Sequence, residues 1–120
     1  MIIKNIEWIC KNAMEAVVYI GVEHFRCAAF SQPCNLSIGS KLIEPLYAVD
    51  TIGLMISNKE LFVTKHQNSF SHTIFCKVYN VEKNEVIIDC ILIELDCSLP
   101  LGVHVDDVVE FSCSRLDVMS

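Results

Sequence analysis

Apolar and polar residues alternate with a period of two along much of the chain, most strictly near its end. In Val109-Glu110-Phe111-Ser112-Cys113-Ser114 every second residue is apolar, which marks a strand with one face buried. Phe25-Arg26-Cys27-Ala28-Ala29 and Ile74-Phe75-Cys76-Lys77-Val78 carry weaker forms of the same pattern. Val86-Ile87-Ile88 and Ile91-Leu92-Ile93 are runs rich in β-branched residues, of the length expected for buried strands. Residues 80–84 separate two such runs and read as a hairpin loop, and Gly21 punctuates the N-terminal half in the same way. Residues 7–14 have the look of a helical turn, although Trp8-Ile9 fits a strand equally well. The pattern predicts an all-β domain of eight or nine short strands with little helix, folded as a small antiparallel β-barrel or a two-sheet sandwich.

A faint internal echo sharpens that expectation. Pro33, Leu36, Ile38, Leu42 and Asp50 recur 67 positions later as Pro100, Val103, Val105, Val109 and Asp117. Each copy follows a two-strand unit and a loop, so two related units spanning 15–50 and 84–117 are expected within one pseudo-symmetric domain, 1–120. No Pro-, Gly- or Ser-rich linker divides the halves.

Composition fits that picture. At 120 residues with 52% apolar content, the chain can bury one core but not two, and disorder is excluded. No apolar run approaches the ~20 residues that a helix needs to cross a bilayer. The N-terminal stretch interrupts its apolar residues with Glu7 and lacks the profile of a signal peptide, which leads to a cytoplasmic expectation.

Charge says more. The net charge is −6, and from Glu85 onward eight carboxylates stand against Arg115 alone. Such a surface repels nucleic acid and anionic membranes, whose binders place Lys and Arg on phosphates. It attracts a basic protein and speeds the encounter. Glu94, Asp96, Asp106, Asp107 and Glu110 concentrate this charge and are the candidate partner-binding residues. Glu94 and Asp96, two apart, would share one strand face, whereas Asp106 and Asp107 fall in a turn.

The seven cysteines are odd in number, and their closest pairs, Cys27/Cys34 and Cys90/Cys97, have six intervening residues each. Zinc sites usually show two to four. Reduced thiols packed as small hydrophobes are the expectation, with no metal and no cofactor. Catalytic patterns are also missing. There is no phosphate-binding glycine loop, no G-x-S-x-G and no H-E-x-x-H. His24 lies three residues before Cys27, an odd spacing that puts the two on opposite faces of a strand, and His104 lies in the turn beside Asp106. Residues 66–71 form the most polar stretch and, with Lys59, Lys65, Lys77 and His72 nearby, the one mildly basic region.

These features predict a non-catalytic, acidic protein-binding domain rather than an enzyme. In size, charge and lack of catalytic motifs the chain resembles the immunity proteins that bacteria make against nuclease toxins. That resemblance implies a cytoplasmic inhibitor whose carboxylates mask a basic active site by mimicking phosphates. Two alternatives stand beside it: a small β-barrel binding a small molecule or an oligonucleotide through Tyr19, Phe25, Phe30 and Tyr47, and a structural subunit that assembles through free strand edges.

Overall fold

The computed structural model describes residues 1–119. It is all-β, as the alternation predicts, with eleven strands rather than eight or nine. The N-terminal half forms β1 (Ile3–Cys10), β2 (Glu15–Ile20), β3 (Cys27–Ser31), β4 (Leu46–Val49), β5 (Ile52–Ile56) and β6 (Phe62–Lys65). The C-terminal half forms β7 (His72–Asn80), β8 (Glu85–Ile88), β9 (Ile91–Leu95), β10 (Val108–Cys113) and β11 (Arg115–Val118). Residues 7–10 belong to β1 and are not helical; among the described residues the one helical element is a 3-10 turn, Glu23–Phe25, which takes Phe25 out of the strand expected there.

All strands join one sheet in the order β1-β2-β3-β11-β4-β9-β8-β7-β10-β5, with β6 added to the first half of β7. The first eight positions mirror themselves about the β11/β4 contact. On one side a meander, β1-β2-β3, meets β11; on the other, β7-β8-β9 meets β4. The mirrored contacts β3/β11 and β9/β4 are both parallel, so the sheet is mixed and not purely antiparallel. The two meander hairpins have matching four-residue loops, each closed by a backbone bond: Met14 N–H to Lys11 O, and Asn84 N–H to Val81 O. Met14 and Asn84 both take left-handed backbone angles, φ 57° and 55°, which turn the chain into the second strand.

The ladder does not close into a barrel. The sheet nevertheless curls until β3 meets β6 and β7, five places away in the strand order. The inner faces share one core, with Ile74, Cys76 and Val78 of β7, Val86 and Ile88 of β8, Ile91 and Ile93 of β9, Val109 and Phe111 of β10, and Leu116 of β11 all buried. Strict alternation in β10 is realised: Val109, Phe111 and Cys113 point in, while Glu110 and Ser112 point out.

Where the curled sheet meets itself, a side chain replaces the missing ladder. His72 is fully buried, its Nε2 accepts the Ala28 N–H at 3.2 Å, and its Nδ1–H donates to Phe70 O at 2.9 Å. His72 is in phase with the buried residues of β7 and does not belong to the exposed basic region the sequence suggested. A fixed neutral tautomer follows, because one nitrogen must accept and the other donate. Burial, reinforced by Lys65 and His66 and only partly offset by the bond to Phe70, lowers its pKa to about 4.

Gly21 shapes the same junction, where the 3-10 turn packs against β6. It adopts φ +83°, and a Cβ there would stand 2.3 Å from the Phe25 carbonyl oxygen, so only glycine allows the 3-10 turn to fold back.

Candidate partner-binding surface

Strand direction collects the carboxylates. β7 and β9 end, and β8 and β10 begin, at the same end of the sheet. Glu85, Glu94, Asp106 and Asp107 therefore come to one end although they are spread over more than twenty positions of sequence, whereas Asp96 sits beside Asp50, which bonds Ser114 next to the far end of β10. Asp106 and Asp107 extend the β10/β7 pairing through two backbone bonds to Val78, each 2.9 Å. Val78 faces Val86 on β8, which places the pair two strands from Glu85, with β7 between them.

Register gives the surface its detail. Glu85 on β8 faces Glu94 on β9, Glu94 faces Tyr47 on β4, Tyr47 faces Asp117 on β11, and Asp117 faces Phe30 on β3. Their sequence neighbours Val86, Ile93, Leu46, Leu116 and Ala29 are all buried, so this row lies on the outer face, although Glu85 is itself covered and only 8% exposed. It spans roughly 19 Å, four steps of ~4.8 Å. Arg115 holds Asp117 with two hydrogen bonds and lays its guanidinium 4.8 Å from the Phe30 ring, which removes Asp117 from the free charge. Glu85 and Glu94 have no such neutraliser: among the described residues neither forms a salt bridge. Like charges directly opposite on adjacent strands destabilise a sheet.

The five candidate residues thus divide by role. Glu94 and Glu110 lie on outward faces of β9 and β10, half-buried. Asp96 lies beyond β9 and does not continue the face of Glu94; its carboxylate accepts the amides of Asp50 (2.7 Å) and Thr51 (3.1 Å), capping the β4–β5 turn. Residual burial would raise its pKa, but these bonds and the nearby Thr51 hydroxyl dipole outweigh it and hold the carboxyl below its usual value. The Thr51 hydroxyl itself has no partner of hydrogen-bond geometry. Asp107 caps its own turn by accepting the His104 amide at 2.8 Å, with the His104 ring 3.8 Å away. Asp106 is exposed, its carboxylate makes no hydrogen bond among the described residues, and its φ is 74°. Glu110 lies between Met55 on β5 and Phe75 on β7, three strands from Glu94 in the sheet order.

Other candidate chemistry resolves as follows. Cys27, Cys34, Cys76 and Cys113 are buried as expected of small hydrophobes, whereas Cys10 and Cys90 are exposed. Burial pushes the Cys27 thiol up to about 12 and raises Cys76 further, so neither supplies a thiolate near neutral pH. Among the described residues no three metal-ligating side chains cluster. His24 stacks on Phe62, with ring centroids 5.5 Å apart.

Sequence reasoning missed one polar network. His66 Nδ1 lies 2.7 Å from Ser71 Oγ, and its Nε2 lies 2.8 Å from Thr73 Oγ1, which continues to Ser112 Oγ at 2.8 Å. Ser69 adds a further 2.7 Å contact to Ser71. Among the described residues no carboxylate bonds the imidazole, and both ring nitrogens are occupied by hydroxyls, so the arrangement ties the 66–71 loop to β7 and β10 without the third member of a nucleophilic triad. Its signal was the density of hydroxyls around His66 in Ser69-Phe70-Ser71-His72-Thr73.

Comparison with protein-family models, curated proteins and solved structures gives no match. No helix among the described residues is long and apolar enough to cross a membrane.

Proposed function

We propose that this chain is a non-catalytic protein-binding domain whose acidic end takes a basic partner, with masking of a nuclease toxin in the cytoplasm as the specific form. The observation that carries the reading is the register that sets Glu85 against Glu94 on adjacent strands, with no salt bridge to either among the described residues; Glu85 is buried, so the half-buried Glu94 is the member a partner's cation reaches. Folding alone disfavours that arrangement, and Lys or Arg from a partner relieves it. Glu94, Asp106 and Glu110 are the carboxylates left for contact once Asp96 and Asp107 are recognised as turn caps. Tyr47, beside Glu94, adds an aromatic of the kind enriched at interfaces. The test is binding to a panel of basic ribonucleases and deoxyribonucleases at low and high salt. Tight, salt-sensitive binding that blocks nuclease activity supports the reading; no binding to any member at low salt rejects it.

A second reading, assembly with further copies of the chain, is favoured by β5. This strand ends the sheet with one edge unpaired, and Ile52, Met55 and Ile56 are 66%, 51% and 60% exposed. Residues 51–58 carry no charge, so this is a stretch where two copies of an acidic chain can meet without repulsion. An antiparallel pairing centred on Leu54 would set Ile52 against Ile56 of the second copy.

A further inference from the structure

The acidic chain keeps one cationic groove. Lys4 from β1, Arg26 from the segment before β3 and Lys65 at the end of β6 line two adjoining concavities of about 490 and 250 Å³, which share Glu7 and Tyr19 as a common wall. Three elements distant in sequence thus bring three cations together, and none of the three forms a salt bridge among the described residues. At one end stand Lys4, Asn5 and Arg26; at the other, Lys65, Asn68, Ser69 and Phe70. Between them the Tyr19 hydroxyl donates to Glu7 Oε2 at 3.5 Å, a long bond that leaves Glu7 free to accept another donor. Burial and the neighbouring Glu7 raise the Tyr19 pKa, so the phenol remains a donor. Lys65 lies 5.9 Å from the Phe70 ring centroid, holding that aromatic at the groove margin.

We propose that this groove binds a mononucleotide, its phosphate on Lys4 and Arg26, its base between Tyr19 and Phe70, and a base N–H on Glu7. Two cations with an amide at one end suit a phosphate group. The aromatic walls at the junction and the far end offer stacking to a flat ring. A lone carboxylate between them rejects a second anion and accepts a ring or exocyclic N–H, which separates a nucleotide from a bare polyphosphate. The volume lies within the range of small-molecule sites. The acidic end of the sheet, with Glu85, Glu94 and Asp106, repels a long polyanion, which favours the free nucleotide over a strand of nucleic acid.

Calorimetric titration of the full chain with AMP, CMP, GMP and UMP, with the matching nucleosides, with inorganic phosphate and with a single-stranded oligonucleotide tests the proposal. At least one mononucleotide is expected to bind, with its nucleoside and inorganic phosphate each about tenfold weaker or worse. Arg26→Glu and Lys4→Glu, at exposed positions, are expected to weaken that mononucleotide by about tenfold or more without changing Tm, and Glu7→Gln to change the preference among bases. Failure of all four mononucleotides to bind, equal binding of inorganic phosphate, tighter binding of the oligonucleotide per nucleotide, or insensitivity to Arg26→Glu overturns it.

Discussion

His72 on β7 accepts the backbone amide of Ala28 on β3 at 3.2 Å, joining strands that lie five places apart in the sheet. One neutral imidazole thus does locally what a continuous ladder does in a closed barrel. Because the folded state holds its pKa near 4 while the unfolded side chain titrates near 6.5, the unfolded chain binds a proton that the folded chain refuses between these values. Stability is therefore expected to be full above about pH 6.5 and to fall as pH drops towards 4, by up to roughly 3 kcal/mol from this group. Urea titrations across that range check the slope. His72→Ala, which leaves the Ala28 amide unpaired beside a cavity, is expected to cost about 2–4 kcal/mol and to flatten the slope.

The two meander hairpins make a paired prediction. Asn84 suits its left-handed position, and its Oδ1 also accepts the Leu99 amide at 3.1 Å. Met14 holds the same position in the other hairpin without a side chain suited to it. Met14→Asn is expected to raise stability by about 0.5–1 kcal/mol, and Asn84→Met to lower it by more, because the bond to Leu99 is lost as well. Thermal melts of the two variants decide the order.

Thiol exposure makes a third. Under native conditions an alkylating reagent is expected to modify Cys10 and Cys90 first and Cys97 more slowly. Burial and the neighbouring Asp96 raise the pKa of Cys97. Cys27, Cys34, Cys76 and Cys113 should react only on unfolding. Mass mapping of the labelled sites reads this directly, and early labelling of Cys76 would contradict the packing described.

The apolar edge makes a fourth. If β5 mediates assembly, Met55→Lys is expected to shift the chain from dimer to monomer in light scattering with little change in Tm, since Met55 is half exposed. A parent chain that is monomeric at high concentration removes the assembly reading.

Local patterns in the sequence were enough to locate β8, β9 and β10, because a strand's side-chain period is written into consecutive residues. The same phase could have placed His72 inside, in step with Ile74, Cys76 and Val78. β5 was hidden: Ile52-Gly53-Leu54-Met55-Ile56 is apolar on both faces, so nothing in it alternates. The parallel contacts β3/β11 and β4/β9 join segments far apart in the chain and leave no local mark. At the candidate surface, the crowding of acids was legible, but their roles were not. Asp96 and Asp107 cap turns, and Glu85 becomes significant only when register sets it against Glu94.

The central claim rests on the free carboxylates, so the decisive variant neutralises those and spares the caps. Glu94→Gln, Asp106→Asn and Glu110→Gln combined should not lower Tm, and Glu94→Gln should raise it slightly by relieving the opposition to Glu85. Stopped-flow association with a basic nuclease that binds the parent chain is the direct test. The proposal predicts that the triple variant associates about tenfold more slowly at low salt and that the two rates converge at high salt. Equal association rates at low salt would contradict it.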